Sequence, residues 1–100
     1  MLQFDDKKDE LKRITDTFGI DTELMKLCEE VGELLNECYK YNYTKQNKDR
    51  VEDEFADVLA ILSQFAIFYD LDIKNVKNIF NSKIDRTIKR IDDGWYDKHR

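Results

Sequence analysis

A chain of 100 residues, 41% hydrophobic and 12% aromatic, is the size of one domain with its own core, although a core this small is often completed by a second subunit. Its formal net charge of −5 excludes charge-driven binding to nucleic acid, because displacing counterions from phosphates needs a broad basic face. The absence of Pro and the presence of only three Gly leave too little turn chemistry for a many-stranded sheet, so the expected class is all-α.

The start, Met1 to Lys8, has no basic stretch followed by an apolar one, so no signal peptide is expected. A first helix over about Asp5 to Phe18 places Phe4, Leu11, Ile14 and Phe18 on one side and stops before Gly19, as a cover for the rest. The second is expected from Asp21, as N-cap, to Tyr43, with an apolar stripe of Leu24, Leu27, Cys28, Val31, Leu35 and Cys38. Cys28 and Cys38 are about 15 Å apart on that helix, too far to bridge, and both are expected to be buried thiols in a reducing cytosol.

Asn42 to Lys48 is read as a loop, and Asp49 with Glu52 resembles a capping box that opens a third helix reaching about Asp70. Beyond Val58 this helix is apolar nearly all round, since Ala60, Ile61, Ile67 and Phe68 lie outside the stripe of Phe55, Val58, Leu59, Leu62 and Ala66. It is expected to be central or to form a subunit interface. The run from Val58 to Tyr69 is broken by Ser63 and Gln64 and is shorter than the roughly 20 residues that span a bilayer. No membrane contact is therefore expected, and the protein is placed in the cytoplasm. A fourth helix opens at Asp72, carries Ile73, Val76, Phe80, Ile84, Ile88 and Ile91, and stops at Gly94. The expectation is a single domain over residues 1–100: a covering helix within 1–20, a core over about 21–93 and a tail over 94–100.

The chemistry lies in the placement of acids. Glu30 and Glu33, three apart, share a face at the edge of the second helix's stripe, with Glu37 and Lys26 on the same strip. Glu54 and Asp57 repeat the spacing on the third helix, where Glu54 falls inside the apolar arc among Val58, Ile61 and Phe65. A carboxylate there is costly unless a cation compensates it. Paired carboxylates on two antiparallel helices are how bundles build metal sites. Oxygen donors with no His or Cys beside them suit Mg²⁺ or Mn²⁺ rather than Zn²⁺; the lone His99 is in the tail. On the fourth helix Lys83 sits in the apolar sector, with Arg86 and Arg90 continuing the strip. That arrangement suits a phosphate grip, or a structural pairing of Lys83 with Glu54 or Glu37.

Glu29-Glu30-Val31-Gly32-Glu33 followed by Glu54-Phe55-Ala56-Asp57 resembles the EExxE and ExxD motifs of the MazG-like pyrophosphohydrolases, members of the all-α NTP pyrophosphatase superfamily. The likeness covers roughly Leu24 to Arg90. It implies a four-helix bundle, completed by a homodimer or homotetramer, that cuts a nucleoside triphosphate into monophosphate and pyrophosphate. It also implies Glu30, Glu33, Glu54 and Asp57 as catalytic metal ligands and Lys83 and Arg86 as phosphate contacts, with Glu29 and Arg90 as secondary candidates. Glu29 matches the first Glu of the motif but faces away from the helical stripe, and Thr87 stands where the family often has Asn a turn after the Lys. Four carboxylates and a triphosphate bring together about eight negative charges, more than one Mg²⁺ with two cations balances, so two or more ions are expected. With no Ser, Cys or His placed as a nucleophile, the attacking group is expected to be a metal-activated water.

Two rival functions share these features. A phosphoribosyl-ATP pyrophosphohydrolase would use the same acids on another substrate, and a non-catalytic helical dimer, an adaptor or regulator, would use the acidic strip as a solvated or protein-binding face. The base contact is not legible, since Tyr39, Tyr41, Tyr43, Phe68 and Trp95 each suit stacking and packing equally.

Overall fold

The computed structural model describes residues 5–99, and side chains over residues 6–97. Phe4 and the side chain of His99 lie outside the described residues. The described residues form a 3-10 turn over Asp5–Lys7 and five α-helices, α1 (Lys8–Phe18), α2 (Ile20–Thr44), α3 (Lys48–Phe68), α4 (Ile73–Asp92) and α5 (Trp95–His99), with no strand among them. The all-α class expected from composition is what the chain adopts. It divides into two compact units between Asp70 and Leu71.

In the first unit α2 and α3 make an antiparallel hairpin, and α1 lies against both. The joint between α1 and α2 is a single residue, Gly19, at φ +88, where a side chain would be strained. Asp21 is therefore not the N-cap: it lies within the first turn of α2, where its charge still complements the helix dipole. The α2–α3 loop is only Lys45–Asn47, shorter than the expected Asn42 to Lys48. Lys45 (φ 57) and Asn47 (φ 64) both take the left-handed conformation, and the Lys45 N–H closes α2 on Tyr41 O at 2.8 Å. Because α3 starts at Lys48 with no side-chain cap, the expected capping box of Asp49 and Glu52 does not form.

The α2 seam differs from its apolar stripe in a way that matters for function. Glu23 is buried, and Leu27, Glu30, Leu34, Glu37, Cys38 and Tyr41 are half-buried, whereas Leu24, Cys28, Val31 and Leu35 of the expected stripe are exposed. The helix is turned by roughly 75° from its hydrophobic direction, at 100° per residue. Glu30 and Glu37, expected at the edge of the stripe, are thus half-buried, while Glu33 stays exposed. The expectation of two buried thiols fails for the same reason: Cys28 is exposed and Cys38 half-buried. On α3, Ile61, Ser63, Gln64 and Ala66 are buried, and Thr15 of α1 donates a 2.9 Å hydrogen bond to Gln64 Oε1.

In the second unit the Asp72 side chain caps α4, accepting from the Asn75 N–H at 3.1 Å as its position predicts. The large apolar side chains of α4 from Val76 to Ile91 are exposed. Gly94, at φ +70, ends this helix as expected, but the chain then forms α5 where a tail was expected. The Arg90 guanidinium lies 4.8 Å from the Trp95 ring centroid, a cation–π contact between α4 and α5.

Candidate metal centre

The inward turn of α2 sets Glu30 and Glu33 against Glu54 of α3, so that one carboxylate oxygen from each lies within 4.8 Å of the others. A second group with the same spacing is Asp53, Glu54 and Asp57. Glu54 is common to both. Its neighbour Asp53 is exposed and off the α3 stripe, and sequence reasoning missed it; the only available signal was its adjacency to Glu54.

Glu30 and Glu54 are half-buried, and the Oε2 atom of each is buried without a hydrogen-bond partner. Partial burial, the charge and hydrogen bond of Glu33, and the charges of Glu30 and Asp57 together push the Glu54 carboxyl up to about 7. Glu30 is raised as well, first by desolvation and then by the charges of Glu33 and Asp57. The sequence-based reading of Glu54 as a carboxylate at a cost to its surroundings describes this environment. Crowded acids with buried, unpartnered oxygens could hold a cation, and an all-oxygen donor set would fit Mg²⁺ or Mn²⁺.

The other candidate residues are placed differently. Glu29 is exposed and belongs to neither group. Glu37 pairs with Lys40 of its own helix at 3.6 Å. In the second unit Lys83 and Arg86 line one surface depression with Asn78, Ile79 and Ser82, and Arg90 is half-buried beside Trp95. Tyr39 and Tyr43 are exposed and lie against each other, ring centroids 5.6 Å apart.

A helical hairpin with carboxylates on both arms is an arrangement in which helix bundles hold metal ions. The model of the MazG nucleotide pyrophosphohydrolase domain matches residues 18–91. The chain belongs to that family. No curated protein and no solved structure matches it. Among the described residues no helix is long and apolar enough to cross a membrane.

Proposed function

We propose that this protein hydrolyses a nucleoside or deoxynucleoside triphosphate to the monophosphate and pyrophosphate with Mg²⁺. The observation that carries the reading is the group Glu30, Glu33 and Glu54, with one oxygen of each within 4.8 Å of the others and the Oε2 atoms of Glu30 and Glu54 buried without a partner. Glu30, Glu33, Glu54 and Asp57 hold the ions. Asp53 adds a fifth carboxylate on the open side, and the sharing of Glu54 between two groups supports two ions rather than one. When bound, such ions supply charge neutralisation for the phosphates and activation of a water for attack. With Glu54 near 7, the site exchanges protons for cations at neutral pH. Lys83 and Arg86, three apart on α4, are proposed phosphate contacts, with Arg90 secondary because its guanidinium is engaged over Trp95.

The working form is a homodimer or homotetramer. Its support is the extent of exposed apolar surface, Leu24, Val31 and Leu35 on α2 and Ile84, Ile88 and Ile91 on α4 among it. Sedimentation at micromolar concentration should give a mass of at least twice the 12.0 kDa of one chain, and a mass of 12.0 kDa would contradict the assembly. The free cysteines agree with a reducing compartment, and the proposed location is the cytoplasm.

The direct test of the activity is a panel of NTPs, dNTPs and phosphoribosyl-ATP with Mg²⁺, assayed separately for pyrophosphate and for monophosphate. The proposal expects both products in equal amounts from at least one triphosphate and none after chelation. Turnover confined to phosphoribosyl-ATP, or release of single phosphate, would contradict it.

A further inference from the structure

One buried carboxylate is not used by the metal centre. Glu23, at 1% exposure, is the most deeply buried large side chain, and its Oε2 has no hydrogen-bond partner among the described residues. Its place follows from the register of the hairpin. Glu30 and Glu33 of α2 meet Glu54 and Asp57 of α3. Seven residues back along α2 from Glu30 is Glu23, and seven forward along α3 from Asp57 is Gln64. In an antiparallel pair both steps run the same way, about 10 Å along the seam at 1.5 Å per residue.

Glu23 and Gln64 therefore share one level of the hairpin, two turns from the acids. Thr15 of α1 closes that level, with its hydroxyl 2.9 Å from Gln64 Oε1. The Thr15 hydroxyl takes up the Gln64 carbonyl, which leaves the Gln64 amide N–H₂ on the same level as the orphan carboxylate oxygen but not bonded to it. A buried carboxylate oxygen without a donor is costly, so the level is built for a group that brings one. The crowded acids attract cations, whereas this level offers a single acid among neutral groups. It suits a neutral donor next to an acceptor.

We infer that Glu23, Gln64 and Thr15 form the nucleobase subsite, and that it selects bases whose edge carries an exocyclic amino group beside a ring nitrogen acceptor. The inference rests on the nucleotide reading above and names the part of the substrate that reading leaves open. With phosphates at the acidic level, two helical turns is about the reach across a sugar to the far edge of a base. The amino group donates to Glu23 Oε2 and the ring nitrogen accepts from the Gln64 amide. A base with an oxo group in that place sets an acceptor against a carboxylate, the mismatch that hydrogen-bonding sites reject most strongly. Helix α1 covers this level through its buried Leu11 and Thr15 and would have to yield on entry; it joins α2 through Gly19 alone.

The test uses the full chain with Mg²⁺ and two matched pairs, dCTP with dUTP and dATP with dITP, each differing by an amino group in place of an oxo group. The expected result is at least a tenfold higher kcat/KM for the amino-bearing member of whichever pair is turned over. Glu23→Gln, whose amide can donate to an oxo group, should bring that ratio to about one or below. Gln64→Met keeps the side-chain length and removes the donor, and it should weaken the same preference if Glu23→Gln does not fold. Calorimetric titration with the four corresponding monophosphates reads the preference without turnover. Loss of all turnover with the binding preference intact would defeat the pyrophosphohydrolase reading and leave the subsite standing. Equal treatment of both members of each pair by the wild type, or a preference that survives Glu23→Gln, would overturn the subsite.

Discussion

Two levels of the same hairpin hold buried carboxylate oxygens without partners, and they differ in what surrounds them. At the first, Glu30, Glu33, Glu54 and Asp57 crowd together, and partial burial, followed by like charge, pushes the Glu54 carboxyl up to about 7. At the second, Glu23 is buried on the level of Gln64, whose Oε1 accepts from Thr15 of α1. The contrast shows that an orphan oxygen does not by itself specify a ligand. On the proposals above its neighbours decide: several acids would take metal ions, and one acid beside neutral groups would take a neutral donor.

The largest effect that separates the levels is on turnover. Glu33→Gln or Asp57→Asn should lower Mg²⁺-dependent hydrolysis by at least about a hundredfold while leaving the helical circular dichroism unchanged, because relieving crowded acids costs little stability. Activity retained in both variants would remove the metal centre from the account.

A smaller effect is expected at the second level, on stability. Thr15→Val removes the donor to Gln64 Oε1 and should cost about 1–3 kcal/mol, a drop in Tm of roughly 4–8 °C for each kcal/mol. The same variant should keep the full rise in Tm that Mg²⁺ gives the wild type. A thermal scan with and without the ion reads both. A loss of the Mg²⁺ response in Thr15→Val would mean that the two levels are not independent.

The helical class was legible because a 3.6-residue apolar period is a local signal, and acids paired three apart singled out Glu30, Glu33, Glu54 and Asp57 as candidates in the same local way. What it concealed is non-local. Glu23 was not singled out, because its neighbour Leu24 carries the stripe and only the rotation of α2 brings Glu23 inside. Asp53 is exposed, and it joins the acids only by lying next to Glu54 and a turn before Asp57 on α3. The helix boundaries at Gly19 and Asn47 depend on left-handed backbone conformations in joints of one and three residues, where Asp21 and Asp49 offered more familiar caps a residue or two later. The α5 turn follows a glycine stop that by itself looks final.

The central claim, that the acids of α2 and α3 are built for metal ions and not for a structural ion pair, is tested most directly by melting the wild type and Glu54→Gln with and without Mg²⁺ across pH. The folded-state pKa of Glu54 is raised, to about 7 against an ordinary 4.5, so between those values the folded chain binds more protons than the unfolded one. The contribution of Glu54 to the stability of the metal-free protein is therefore greatest below that window and falls as pH rises through it. Mg²⁺ binds the ionised form, so the Tm gained from it should be larger at pH 8 than at pH 6. Without Mg²⁺ at pH 8, Glu54→Gln should melt at or above the wild type, and with Mg²⁺ it should gain less. A wild type that gains nothing from Mg²⁺ at either pH, together with a Glu54→Gln variant melting several degrees lower, would contradict the account.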